Sequence, residues 1–266
     1  MPSRFLEEVR SSPIRVTSRV AASLVRQTLP FAGIPAVSFP GGRIEADLST
    51  AQGRGFYRYR SFDPSLDLVR ELLRPGDVFV DAGANVGQFT LTAAQCVGNA
   101  GLVWAFEASP SAATRLRRNV ALNRYDWVRV EQFALDDANG EEEFVTFDGT
   151  GNGLSSFAPA STTGGYRTVV TTQRLDAVLP VDDYARLALI KVDVEGAELR
   201  LLRGADRVLA GSECAVLIEI EPDHLARQGA TVKEIEELLA SYDLVEQSDA
   251  AAPPNRLYVR RHRVAT

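Results

Sequence analysis

The sequence predicts an α/β fold: a mostly parallel sheet with helices on both faces and an antiparallel hairpin strand at its end. Three observations predict it. Apolar runs of strand length alternate with segments of helical periodicity after Pro64. A glycine loop, Asp81-Ala82-Gly83-Ala84-Asn85-Val86-Gly87, joins the first of these strands to a helix. The last two apolar runs, residues 242–247 and 256–261, are linked by a Pro-containing connection with no helix between them, so they pair as a hairpin.

Each element has its own signal. Residues 65–73 read as a helix that stops at Arg74-Pro75-Gly76. Residues 77–81 (DVFVD) read as a buried strand. Residues 86–96 read as a helix with Val86, Phe89 and Ala93 on one face, continued by Val97. Residues 102–107 (LVWAFE) and 128–133 are further strands, with a helix over 111–123 between them. Residues 187–192 (LALIKV) and 215–220 (AVLIEI) add two more strands. Helices over 197–209 and 232–241 flank them. A parallel sheet of this kind binds its ligand beyond the carboxyl ends of its strands.

The 266 residues suit one large α/β domain over 61–266 preceded by an N-terminal extension over 1–60. Cys96 and Cys214 stand far apart in no metal-ligand pattern. Zinc ribbons, fingers and disulfide scaffolds are therefore excluded, and a reducing cytoplasm is expected. With only His224 and His262, a three-histidine metal site is impossible. No apolar run approaches the roughly 18 residues of a membrane span, and no signal-peptide core is present, so no membrane partner is expected. The net charge of −6 argues against a nucleic-acid backbone as partner. Residues 1–60 nevertheless carry nine arginines against four acids. Val9, Val16, Val20 and Leu24 there have loosely helical spacing, and the extension reads as a helix plus short strands that either pack on the domain with a solvated arginine face or act as a lid at the substrate. Residues 149–165 form a Gly/Ser/Thr-rich loop, expected to close over an acceptor.

The glycine loop fails the dinucleotide fingerprint, because Asn85 and Gln88 stand where glycines belong, and it lacks the Walker lysine. Asp81 at the strand end disfavours a pyrophosphate and favours a ligand with positive charge. S-adenosylmethionine is such a ligand, with a sulfonium, an ammonium and no phosphate. Glu107 ends the next strand, where a carboxylate accepts from both ribose hydroxyls. Asp136, just past the third strand, is placed to accept the adenine amino group, with Ala134 and Leu135 beside the ring. A turn or cap role for Asp136 fits equally well.

The runs VFVDAGANVGQFT, FEASP, ALDD and IKVDVEGAELRLLRGA together resemble the FkbM family of S-adenosylmethionine-dependent methyltransferases over roughly residues 77–245. The resemblance implies a class I methyltransferase Rossmann-like fold with a seven-stranded sheet. It also implies methyl transfer, usually to a hydroxyl of a sugar, polyketide or other secondary metabolite, so the expected partner is a small-molecule hydroxyl acceptor. The cofactor set is then Asp81, Gly83, Asn85, Gly87 and Thr90, with Glu107, Ala108 and Ser109, then Ala134, Leu135 and Asp136, and finally Asp193.

The catalytic candidates sit at two strand mouths. Alternation puts Lys191 and Asp193 on one face of their strand, with Glu195 just beyond it. Asp193 is the strongest candidate to face the sulfonium or the acceptor; as ordinary structure, Asp193 and Glu195 would cap the next helix. Glu219 and His224 flank the end of the following strand. Imidazole titrates near neutral pH and suits removal of a hydroxyl proton. Asp193, Glu195 and Glu219 are alternatively oxygen ligands for Mg²⁺. Three rival readings remain: a nicotinamide oxidoreductase, disfavoured by Asn85 and Gln88; a non-catalytic binding module; and a nucleic-acid methyltransferase, disfavoured by acids after the fourth strand.

Overall fold

A computed structural model describes residues 34–60, 62–146, 166–247, 250–251 and 253–263. The chain begins with an antiparallel hairpin, β1 (Ala36–Phe39) and β2 (Gly42–Glu45), then a short helix α1 (Ala51–Arg54) continued by a π-turn (Gly55–Tyr59). The main body runs α2 (Leu66–Leu72), β3 (Val78–Ala82), α3 (Gln88–Val97), β4 (Leu102–Phe106), α4 (Pro110–Asn123) and β5 (Val128–Glu131). There follow β6 (Ala134–Leu135), β7 (Gly140–Thr146), β8 (Tyr166–Gln173), α5 (Leu175–Val178) and β9 (Leu187–Val192). The last part is α6 (Glu198–Arg203), α7 (Asp206–Gly211), β10 (Ala215–Glu219), α8 (Pro222–Arg227), α9 (Val232–Ser241), β11 (Leu244–Glu246) and β12 (Asn255–Arg260).

Seven strands form the central sheet in the order β11-β12-β10-β9-β3-β4-β5. β12 is antiparallel to both its neighbours, and the other pairs are parallel. The chain lays β4 and β5 on one side of β3, then crosses to lay β9 and β10 on the other. The order therefore reverses between β3 and β9, and a ligand crevice opens beyond their carboxyl ends. The central strands are apolar on both faces. Val80, Ile190, Val192 and Ile218 pack with Leu201, Leu202, Val208, Ile235 and Leu239 from α6, α7 and α9. Phe79, Leu189, Leu217 and Leu257 pack with Leu66, Val69, Phe89 and Val97 from α2 and α3.

Three details depart from the sequence reading, and one concerns the N-terminal extension. The helix expected over 86–96 starts at Gln88, because Asn85 (φ 50°) and Gly87 (φ 101°) are left-handed. The helix expected over 197–209 is two helices, broken at Gly204. The strand expected over 128–133 ends at Glu131, and Ala134–Leu135 joins a second, three-stranded sheet in the order β6-β8-β7. Residues 34–60 pack tightly on the body. Glu45 N donates to Asn119 Oδ1 and Arg43 N to Asn123 Oδ1, both at 2.8 Å. Phe62 stacks between Phe39 and Phe56, at 4.9 and 5.0 Å. The helical spacing over 9–24 and the loop over 149–165 lie outside the described residues.

Candidate active site

The site is built on the turn after β3. Gly83 N and Ala84 N both donate to Phe106 O at 3.0 Å, which folds the glycine loop over the end of β4. This brings Asn85 N to 2.7 Å from Glu107 Oε2, while Ser109 N donates to Oε1, also at 2.7 Å. Glu107 is thus fixed by two backbone donors, 7% exposed. A carboxylate has about four acceptor positions, so two remain for a ligand. Gly83 has φ 83°, and a Cβ there would lie 1.8 Å from Asp193 O. Only glycine lets the two loops meet. Ser109 Oγ caps α4.

The resulting cleft takes in about 690 Å³, part of it space open to solvent. Gly83, Asn85, Glu107, Ala108, Ala134, Leu135, Asp193 and Glu195, all among the sequence candidates, line it. Phe106, Ala112, Phe133, Phe144 and Val194 also line it and were not read from the sequence. Phe144 sits on β7, in a sheet that periodicity did not reveal. The apolar residues offer a surface to an aromatic base, and Glu107 offers acceptors to a diol. This donor and acceptor set fits S-adenosylmethionine.

Asp81 and Thr90 lie beneath the cleft and are fully buried. Thr90 Oγ1 donates to Asp81 Oδ2 at 2.5 Å. Lys191, directly beside Asp81 in the sheet, is also buried. Its Nζ lies 3.6 Å from Asp193 Oδ2 and 5.1 Å from the Phe89 ring centre. Lys191 therefore reaches the site through Asp193, under its floor. Gly87 starts α3 and faces Leu116.

Asp136 lies away from the cleft lining. Its carboxylate is 1% exposed, bonds Arg200 Nη2, and accepts from Asp137 N at 2.8 Å. Arg200 also bonds Glu142 on β7. Asp136 thus ties α6 to the second sheet, and the adenine role expected of it has no support in its contacts. The partner, Arg200, is in the IKVDVEGAELRLLRGA run, but spacing alone did not connect the two.

The mouth of the cleft is acidic. Asp193 N donates to Ala82 O at 3.0 Å, which fixes the loop after β9 against β3. Glu195 has φ 56° and Gly196 φ 108°, and a Cβ on Gly196 would meet His224 O at 2.6 Å. This tight approach sets Glu195 Oε2 2.9 Å from His224 Nδ1 at the start of α8. Glu198 Oε1 accepts from Gly196 N at 2.9 Å and braces the same loop. Glu219, at the end of β10, stands near Asp193, and burial first and then the Asp193 charge push its carboxyl upward. Among the described residues, no group of three or more His, Cys, Asp or Glu side chains converges for a metal ion. Of the oxygens expected to hold Mg²⁺, Glu195 Oε2 is engaged with His224.

Burial shifts the acids upward. It lifts Asp81 to about 6, against the opposing pull of Thr90 and Lys191, and lifts Glu107 to about 7 despite its two backbone donors. Glu195 rises to about 8, from burial first and then from Asp193 and Glu219. A raised acid binds its proton more tightly when folded, so the protein loses stability as pH rises from the unfolded value through the folded one. For Glu107 the window is 4.5 to about 7, worth roughly 2–4 kcal/mol. The ligand-free protein should therefore melt at progressively lower temperature from pH 5 to pH 7.5. Glu107→Gln should flatten that slope. An unchanged slope in scanning calorimetry would mean that Glu107 is already charged at pH 5.

A parallel sheet with a glycine loop at its switch point, a carboxylate closing the next strand and an acidic mouth is the construction of an S-adenosylmethionine-dependent methyltransferase. A profile of the Methyltransferase FkbM domain matches residues 81–245. The chain belongs to the FkbM methyltransferase family. It is 28% identical to the 31-O-demethyl-FK506 methyltransferase FkbM of Streptomyces tacrolimicus, covering 65% of this chain and 76% of that one. It is 29% identical to the AMB antimetabolite synthetase AmbE of Pseudomonas aeruginosa over 73% of its own length, and spans 10% of the length of AmbE. The crystal structure of a methyltransferase FkbM from Methylobacillus flagellatus KT matches with a TM-score of 0.46 and 17% identity, covering 73% of this chain and 50% of that one. No helix among the described residues is long and apolar enough to cross a membrane.

Proposed function

We propose that this methyltransferase methylates a hydroxyl oxygen on a small molecule, using a histidine–carboxylate pair to take the proton. The observation that carries the reading is the position of Glu195, which lines the ligand cleft while bonding His224. When bound, S-adenosylmethionine supplies a methyl group on a sulfonium, already a good leaving group. The chain's task is to hold, align and deprotonate.

Glu107 holds the ribose through its two remaining acceptor positions, and Asn85 and Ser109 keep that carboxylate in place. Phe106, Phe133, Leu135 and Phe144 exclude water from the adenine end. Asp193 orients the acceptor hydroxyl; Lys191 and Ala82 fix its side chain and backbone. Glu195 orients His224 through Nδ1, which leaves Nε2 to accept the hydroxyl proton. A relative supports the oxygen acceptor: the Streptomyces enzyme is a 31-O-demethyl-FK506 methyltransferase, named for an oxygen position.

The test is methyl transfer from isotopically labelled S-adenosylmethionine to a panel of hydroxyl compounds, with and without chelator. Transfer to oxygen that EDTA leaves intact and that falls at acidic pH, where imidazole is protonated, is the expected result. Loss of activity in EDTA with recovery on adding Mg²⁺ would replace the histidine by a metal.

A further inference from the structure

The mouth has more acid than the proposed reaction uses. The charges of Asp193, Glu219, Glu198 and Glu221 reach Glu195, and those of Asp193 and Asp63 reach Glu219. Against these stand Lys191, buried and already beside Asp81 and Asp193, and His224, already bonded to Glu195. The sulfonium of the methyl donor answers one carboxylate. The rest have no counter-charge in the reaction as written.

A second, independent observation lies on the neighbouring strand. Asn255 opens β12 directly opposite Glu219 in the antiparallel register. Directly opposed residues place their side chains on the same face of the sheet. Asn255 is 5% exposed, and its Oδ1 has no hydrogen-bond partner. A buried amide oxygen left without a donor costs about as much as a lost hydrogen bond. It therefore points to a donor that arrives from outside.

We propose that the acceptor carries a protonated amine near the hydroxyl to be methylated, held by Asp193, Glu219 and Asn255. Asp193 and Glu219 offer carboxylate oxygens and Asn255 its unpaired Oδ1, and an ammonium offers three donors and no acceptor. A carboxylate-bearing acceptor, by contrast, meets repulsion from the acids of the same mouth. The inference rests on the hydroxyl-methylation reading and narrows it to amino-alcohol chemistry, such as an amino sugar.

The experiment is calorimetric titration of the S-adenosylhomocysteine-loaded enzyme with glucosamine, N-acetylglucosamine and glucuronate at matched ionic strength. Glucosamine should bind at least about tenfold more tightly than either of the others, the scale of one charge-assisted bond. Glu219→Gln and Asn255→Leu should each erase most of that preference while still binding S-adenosylhomocysteine. Equal affinity for glucosamine and its N-acetyl form, absence of glucosamine binding, or a preference that survives both substitutions would overturn the proposal. Failure of the wild-type enzyme to bind S-adenosylhomocysteine would instead strike the parent reading, and the two failures are read in separate titrations.

Discussion

His224→Ala and Asp193→Asn should each lower turnover by roughly 10²–10⁴-fold while leaving cofactor affinity within a few-fold of wild type. The two act differently. Removing His224 takes away the group placed to accept the proton and leaves Glu195 without its 2.9 Å partner. Both side chains are partly exposed, 21% and 24%, so water can fill the gap and the fold should survive. Its residual activity should rise with pH as hydroxide takes over deprotonation. Asp193→Asn keeps the shape and the backbone bond to Ala82 but removes the charge that faces Lys191 and the acceptor. Its loss should fall on kcat and persist at every pH. Single-turnover kinetics across pH 6–9 separate the two patterns. Wild-type turnover in both variants would mean that the acceptor needs alignment alone.

Gly83→Ala should be the most damaging change of a single methyl. The added Cβ would sit 1.8 Å from Asp193 O, a backbone atom held by Ala82. At φ 83° the alanine is strained whatever the space. Relief requires the loops after β3 and β9 to separate, which disrupts the cleft at Asn85 and Asp193 together. A loss of roughly 3 kcal/mol or more in stability is expected, the large end for point mutants, with no measurable cofactor binding. Gly76→Ala is a fair control: it too has positive φ, but nothing lies within 4 Å of its added Cβ. A Gly83→Ala protein as stable as Gly76→Ala, by denaturant titration, would show that the two loops part without cost.

Much of the fold was legible because it is carried by local patterns. The runs around Phe79, Val103, Ile190 and Leu217 are short, apolar and bounded by turn residues, and their strands appear within a residue or two of the expected limits. Glu107 was legible for the same reason: a carboxylate closing a buried strand is a local signal. What the sequence hid depends on contacts between distant segments. Arg200 and Asp136 are 64 residues apart. Asp136 read as a ligand because it follows a strand, and the arginine that claims it sits on another helix. Phe144 and the small second sheet were hidden because the repeated glutamates of Gly140–Thr146 mask the alternation of a strand. Asn255 carried no signal at all, since its place opposite Glu219 follows only from the antiparallel insertion of β12 beside β10. The pairing of Glu195 with His224 needed the left-handed turn at Glu195–Gly196, which the GAE spacing does not announce.

The central claim is that the cleft closed by Glu107 binds the methyl donor. Calorimetric titration of the wild type and of Glu107→Ala with S-adenosylhomocysteine tests it most directly. One molecule should bind per wild-type chain, and the variant should bind it roughly 30- to 1,000-fold more weakly, as two charge-assisted ribose bonds disappear. Equal affinity in the two proteins would place the methyl donor elsewhere and contradict the account.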